Sequence, residues 1–508
     1  MKFVRKSLQD INTKFFFNGL QNNIYLILTL IVILASVLVL LYLGKKSLWQ
    51  DEATSVAIAK QDWETFSLVM SGRPNMPLYH MMLHRWIRIG DSEFIIRSLS
   101  AIFALATVPM LYALGARMFG SRVGILAALL LTVNAFFIRY AQEARAYSLV
   151  LMLVTLSSYF FVLSIERPSL RYWIGYVISS VLAVFSHLFA VFVLLTQGAS
   201  LIFLRRRDVQ WKSLLISDAA IILMTLPLAI MVLSTRQFGL SWIPQPNLNS
   251  FLSVFHDLAG GSLPLLTGYF LLFFYTLIVA IRTFVKYKRS VESWHYFFIL
   301  TWLFIPIVLS FSYSLYKPLF WSRYLIICLP SLILLGAVGL SNLQRRSGRI
   351  FEVSLVIMLI LSGSELINWY TRYDKEGGEN WREATRYVLS MVQTGDTIFF
   401  EPPYASQSFD YYLHRLNTER YVPDSIYRSS EAYVKSGIRG GEPPGLDKRS
   451  LEQIPRQYQR FWIVRRIDIQ PNDAKRSVVQ ISLQRKSRLV QWMQFKNLTI
   501  LLYETLPP

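Results

Sequence analysis

Residues 24–43 run for twenty positions without one charge, and long apolar runs of the same kind recur down to residue 369. A bilayer core of about 30 Å is crossed by about twenty such residues in a helix. Only a membrane offers so many uncharged runs a place to be buried. The first run is too long for a cleaved signal peptide, lacks a small-residue cleavage site and is followed by further runs, so it is read as a true span. Apolar stretches at 24–43, 94–116, 123–138, 147–165, 172–187, 189–204, 213–233, 263–284, 296–316, 322–341 and 351–369 predict about eleven transmembrane helices. The stretch 172–204 divides in more than one way. The expected fold class is a polytopic α-helical membrane protein.

A net charge of +21 would suggest nucleic acid in a soluble chain. Here the cations fall between the apolar runs: Lys2, Arg5, Lys6 and Lys14; Arg117 and Arg122; Arg167 and Arg171; Arg205–Arg207 with Lys212; Lys286, Lys288 and Arg289; Arg345, Arg346 and Arg349. With eleven spans all these clusters share one side, which the positive-inside rule makes the cytoplasm. That places the N-terminus inside, and the loop holding Asp51 and Glu52 and the C-terminal tail outside, in a cell membrane. No motif supports a nucleic-acid partner. The single cysteine, Cys328, lies in an expected span, which excludes an intramolecular disulfide and a zinc site built from cysteines.

The outward connections are unequal. In the first, 44–93, Ala53–Trp63 and Leu78–Ile89 read as amphipathic helices along the interface, with Trp49, Trp63, Tyr79 and Trp86 at headgroup level. The second, 139–147, is short and densely polar, and the one at about 234–262 reads as an irregular loop or lid with Trp242, Pro244, Pro246 and Gly260-Gly261. Beyond Thr371–Glu379 the composition turns soluble-like, with Gly377-Gly378 as a hinge. Two domains are expected: 1–370, a transmembrane domain with outer loops 44–93 and 139–147, and 371–508, a small extracytoplasmic α/β domain. In the latter a helix capped by Asn380 runs to Val392, Thr397–Glu401 is a strand, Gln407–Leu416 a helix, Arg460–Val464 and Leu498–Tyr503 strands, and Ser436–Gly445 a mobile loop.

Acids are costly beside hydrocarbon, so Asp51 and Glu52, adjacent at the mouth of the first span, call for an explanation. They are either helix-starting acids facing a helix dipole or a catalytic pair. In Arg139-Tyr-Ala-Gln-Glu-Ala-Arg-Ala-Tyr147 a helix would stack Arg139 on Glu143 and Glu143 on Tyr147, either a closing ion pair or, with Gln142 and Arg145, a site for a sugar or phosphate. Arg323, at the outer end of a span with Lys317 nearby, either snorkels or receives a phosphate. Lys60 and Arg73 are weaker candidates of that type, and His187 sits at an outer turn without an assigned task. His80 and His84 have helical i, i+4 spacing, but Met-Met-Leu between them lacks the glutamate of the hydrolytic zinc motif, so packing is favoured over metal binding. There is no Walker loop, dinucleotide glycine pattern or Gly-x-Ser-x-Gly elbow.

These residues carry a resemblance. The Asp51-Glu52 pair after the first span, Asn75-Met-Pro77-Leu-Tyr79, the run from Gly90 through Arg97 to Ser100, the turn Gln142-Glu143-Ala-Arg145-Ala-Tyr147 and the late Arg323-Tyr-Leu resemble the membrane glycosyltransferases of family 39. Protein O-mannosyltransferases and lipid A aminoarabinose transferases of the GT-C superfamily belong to this type. The resemblance covers roughly residues 45–340. Met76-Pro77 stands where Pro-Pro is usual. It implies an inverting transfer from a polyprenyl-phosphate sugar to a glycan, lipid or protein acceptor outside the membrane. Asp51 would be general base and Glu52 its positioner or the acceptor's. Tyr79, Arg139, Gln142, Glu143, Arg145 and Tyr147 would hold the sugar or line its pocket, and Lys317 and Arg323 would face the lipid phosphate. Some relatives bind a divalent metal, but no Asp-x-Asp lies in the first two outer loops, and neither a metal nor another cofactor is predicted. The competing reading is a transporter or flippase of a lipid-linked glycan, which would place polar groups at mid-membrane in broken helices.

Overall fold

The computed structural model describes residues 23–72, 75–234, 243–376, 378–416, 454–466, 483 and 486–507. The N-terminal basic cluster, Arg73, Trp242, Gly377 and the loop 436–445 lie outside the described residues.

Two compact units emerge, here called the helical and the mixed unit. The helical unit comprises Met1–Leu41, Ser100–Leu226 and Leu240–Trp369; the mixed unit comprises Tyr42–Leu99, Pro227–Gly239 and Tyr370–Pro508. The loop expected to belong to the membrane domain thus shares a unit with the C-terminal residues.

In chain order the helices are α1 (Ile24–Leu40), α2 (Gln50–Ala59), α3 (Trp63–Gly72), α4 (Pro77–Trp86), α5 (Glu93–Phe119), α6 (Ser121–Thr132), α7 (Ala135–Ala141), α8 (Tyr147–Glu166), α9 (Leu170–Ser186) and α10 (Ala190–Ser200). There follow α11 (Trp211–Ser234), α12 (Leu248–Leu258), α13 (Leu263–Tyr287), α14 (Val291–Ser314), α15 (Leu329–Arg346), α16 (Gly348–Glu376), α17 (Trp381–Met391) and α18 (Ser406–Leu416). Among the described residues seven helices are long and apolar enough to cross a membrane, or eight if the bent pair α6–α7 is one span. The count of eleven is therefore reached only by adding the shorter apolar helices 24–40, 170–186 and 190–203.

The expected span 123–138 is not one helix. It breaks after Val133, and α6 and α7 meet at 65°. Asn134 makes the break: its side chain caps α7 by accepting from the Phe137 N–H (2.9 Å) and donates to the Leu258 carbonyl (3.0 Å). The segment Ser322–Arg346, a 3₁₀ stretch (Ser322–Cys328) running into α15, is 94% buried over its most apolar window, against 17% for α11. Gly339 allows that central position, since a Cβ there would lie 2.9 Å from the Leu272 carbonyl oxygen of α13.

In the mixed unit, the helix expected over 53–63 is interrupted at Lys60–Asp62. Asp62 accepts from the Thr65 N–H (2.9 Å) and so starts α3 afresh. At the C-terminal end, Asn380 caps α17, and strands β1 (Thr397–Glu401), β2 (Arg460–Arg466), β3 (Ser487–Phe495) and β4 (Leu498–Thr505) form one sheet in the order β1-β2-β4-β3. β1 and β2 are parallel and the other pairs antiparallel. Phe461, Ile463 and Tyr503 pack with Ile454 and Leu483 on one face. Phe400 meets Phe409 of α18 at a ring distance of 5.3 Å. The edge strand β3 escaped the sequence reading because its apolar residues Leu489, Val490, Trp492 and Met493 fall on both faces, without the alternation that marks a half-buried strand.

Candidate active-site residues

Asp51 and Glu52 both lie in the first turn of α2, and the structure treats them differently. Glu52 is fully buried. It accepts from Arg97 Nε (2.8 Å) and Nη2 (2.7 Å) and from the Trp49 N–H (3.2 Å) at the helix start. Arg97, only 2% exposed, also donates to the carbonyls of Leu43, Lys46 and Ser47. One guanidinium thereby fixes both the loop 43–47 and the acid. Asp51 is half-buried, and its carbonyl accepts from the Ser55 hydroxyl (2.9 Å).

Arg97 was not among the sequence candidates. The signal was available: an arginine in the opening turns of an apolar run needs a partner, and Glu52 is the acid it found.

The C-terminal residues grip the same helix. Gln50, next to Asp51, donates its N–H to Glu379 Oε2 (3.1 Å) and its side-chain amide to the Tyr404 carbonyl, while Ser408 donates to Gln50 Oε1 (3.1 Å). Thr54 donates to Gln407, and Leu48 N–H to the Tyr412 hydroxyl (2.7 Å). Glu379 further accepts from Trp381 Nε1 (2.6 Å) and pairs with Arg466 (2.8 Å). Burial pushes its carboxyl above the ordinary range, against the pull of Arg466 and its hydrogen bonds.

Tyr79 is fully buried on α4, behind Met76 in a left-handed conformation (φ 55°) and Pro77 at the helix start. His84 hydrogen-bonds through Nδ1 to the Ala59 carbonyl (2.8 Å) and stacks among Trp63 and Phe66, while His80 Nδ1 faces the Asn75 and Met76 carbonyls (3.1 Å each). Both imidazoles serve packing and backbone. Lys60 pairs with Asp91 (2.7 Å).

The remaining candidates belong to the helical unit. The stretch 139–147 is not a continuous helix: α7 ends at Ala141, residues 142–146 turn, and α8 begins at Tyr147. Glu143 and Tyr147 are therefore not stacked on one helix face as the spacing suggested. The Arg139–Glu143 pair does form, at 3.5 Å. Arg139 is exposed and lies over the Tyr140 and Trp369 rings. Gln142 spends its amide on structure, donating to the Leu38, Val39 and Leu41 carbonyls at the end of α1 and accepting from Trp369 Nε1 (3.1 Å).

Arg145 and Arg323 converge. Both guanidiniums act electrostatically on His187, between α9 and α10, and Arg323, Arg139 and Glu143 all act on Tyr140. The rings close the group: Tyr140 to Tyr147 at 5.0 Å, Tyr147 to His187 at 6.2 Å and His187 to Tyr324 at 5.3 Å. Arg323 lies over Tyr324 at 5.5 Å. Lys317 is exposed on a bend ahead of them. Arg139, Arg145 and Arg323, with Glu143 and a wall of tyrosines, suit a ligand with a phosphate and a hydroxyl-bearing ring. Among the described residues no three His, Cys, Asp or Glu side chains gather as a metal would require.

Residues 72–233 match the family described as dolichyl-phosphate-mannose-protein mannosyltransferase. No curated protein sequence matches the chain. Among solved structures, ArnT from Cupriavidus metallidurans bound to undecaprenyl phosphate is similar, with a TM-score of 0.61 at 12% identity over 93% of this chain and 97% of that one. So is the oligosaccharyltransferase AglB from Archaeoglobus fulgidus, in complex with an inhibitory peptide and a dolichol-phosphate, with a TM-score of 0.55 at 10% identity over 94% and 74%. At such identities the likeness is one of fold.

Proposed function

We propose that the chain is a membrane glycosyltransferase of the GT-C type, which moves a sugar from a polyprenyl-phosphate carrier to a hydroxyl acceptor at the outer face of the cell membrane, with inversion; the family match over residues 72–233 and the likeness in fold to ArnT support this reading. The acceptor class is an envelope lipid, polysaccharide or protein. In this reading the membrane part crosses about eleven times, with the N-terminus cytoplasmic and residues 371–508 outside.

Asp51 acts as general base. Its carboxylate takes the acceptor proton as the hydroxyl oxygen attacks the anomeric carbon, from the face opposite the phosphate. The bond from that carbon to the phosphate oxygen breaks, and the lipid phosphate leaves with the electron pair. Arg323 and Arg145, with Lys317 at the approach, stabilise the growing charge. Glu143 and Arg139 bind sugar hydroxyls against Tyr147. Glu52, Tyr79 and Gln142 act through position: Glu52 locks α2, Tyr79 fills the packing beneath it, and Gln142 holds the polar turn to α1.

The contrast within the acid pair carries this reading. Glu52 is consumed by Arg97, whereas Asp51 stays half-buried at the same helix start. The test is Asp51→Asn in vesicles supplied with polyprenyl-phosphate sugar. Transfer should fall by about 10²–10⁴-fold with an unchanged melting temperature. A rate within a few-fold of wild type would remove Asp51 from the chemistry. The broken α6–α7 span is the feature that favours a flippase, and that reading expects Asp51→Asn to leave glycan translocation intact.

A further inference from the structure

Tyr140, near the end of α7, stands beside Arg139 and Tyr147, and its ring is held from three sides. One helical turn earlier, Phe136 meets it edge-on at 4.8 Å. Across the turn 142–146, Tyr147 does the same at 5.0 Å. The Arg139 guanidinium lies 5.4 Å from the ring centre, and the Ser148 hydroxyl donates to the Tyr140 carbonyl (2.9 Å). A ring packed in this way aims its hydroxyl in one direction.

That hydroxyl has no partner within the protein. Tyr140 is only 4% exposed, yet no described residue hydrogen-bonds to its phenol oxygen. The little exposure that remains includes the hydroxyl itself. A buried tyrosine normally finds a partner for its O–H, as Tyr176 does in donating to Asp218 (3.3 Å). Leaving one without a partner costs stability, unless a ligand supplies the acceptor. The neighbours indicate which acceptor. Arginine side chains only donate, and Arg139 lies beside the phenol. Arg323 closes the same ring chain, which runs from Tyr140 through Tyr147 and His187 to Tyr324. A charged ligand oxygen accepts from several such donors at once, in bonds about twice as strong as neutral ones. Glu143, 3.5 Å from Arg139, does not reach the phenol.

We propose that the Tyr140 hydroxyl donates a hydrogen bond to a phosphate oxygen of the polyprenyl-phosphate carrier, as a further catalytic residue of the site. This rests on reading the site as the carrier's. Transfer of the sugar turns the carrier from a diester with one negative charge into a monoester with two. The bond from Tyr140 therefore strengthens as the leaving phosphate gathers charge, and the proton stays on the phenol oxygen.

The full chain in phosphatidylcholine nanodiscs, titrated with undecaprenyl phosphate and followed by thermal unfolding, tests this. Wild type should be stabilised in a saturable way by undecaprenyl phosphate and not by undecaprenol. Tyr140→Phe keeps the ring and its packing, so the melting temperature without ligand should stay level or rise. Its apparent affinity for undecaprenyl phosphate should fall about 10–100-fold. A merely structural role would give the reverse, a lower melting temperature with the affinity kept. Tyr176→Phe, which removes the bond to Asp218, should show that reverse pattern. A Tyr140→Phe affinity equal to wild type would overturn the assignment of Tyr140 and leave the carrier site standing. If wild type does not distinguish undecaprenyl phosphate from undecaprenol, the reading of the site fails, and the role of Tyr140 with it.

Discussion

The two units treat charge in different ways. In the mixed unit each of the buried carboxylates Glu52, Glu93, Glu379 and Asp396 meets an arginine: Arg97, then Arg382 with Arg415, then Arg466, then Arg460. These pairs join segments more than forty residues apart and hold α2 against the C-terminal residues. In the helical unit the cations Arg145 and Arg323 are grouped instead with tyrosines and His187. The ion pairs of the mixed unit build a scaffold; on our proposal, the cations gathered among aromatic rings serve a ligand. Asp51 belongs to the first unit by location and, on our proposal, to chemistry by role.

The largest effect should come from breaking the matched set. Arg97→Ala leaves Glu52 buried without its partner, which costs about 3–5 kcal/mol. The melting temperature should drop sharply, and with it the yield of folded protein. Replacing both residues by leucine should recover much of that stability, because the penalty arises from the stranded charge. Were Arg97→Ala as stable as wild type, the division between scaffold and chemistry would collapse.

The opposite signature is expected for Arg323→Ala: stability near wild type and turnover lower by about 10²-fold, as for loss of one donor to a developing oxyanion. Lysine at 323 should restore part of it, since charge returns without the planar fork. A uniform rise in KM with kcat intact would show instead that Arg323 grips the carrier equally in ground and transition states.

Legibility from sequence followed the same division. The long spans, the cap at Asn380 and three of the four C-terminal strands announced themselves through uncharged length, capping residues and β-branched runs. The break at Asn134 was hidden, since one polar residue in an apolar run also suits a continuous span, and only its bonds to Phe137 and Leu258 distinguish the two. Local spacing made Gln142 look like a ligand contact, but its partners are carbonyls about a hundred residues earlier. The fate of Glu52 depended on Arg97, forty-five residues away, and a distance of that kind carries no periodicity.

The smallest effect belongs to Asp91, an exposed counterpart to the buried pairs. The hydrogen bond from Lys60 holds its carboxyl below the ordinary range, against partial burial, and both side chains remain more than a third exposed. Because the native carboxyl binds its proton less readily than the unfolded one, the stability it adds is fully present above the ordinary carboxylate range. It is lost as pH falls through the lowered native value. Asp91→Asn should therefore trail wild type slightly near neutrality, and the gap should close on acidification below pH of about 4. Solvent screening keeps that gap small. A denaturation midpoint measured across this range decides it: the Tyr411 and Arg415 bonds to the backbone carbonyl are kept in the variant, so a gap that persists unchanged at low pH would mean that the Asp91 side chain contributes through its shape and packing and not through its charge.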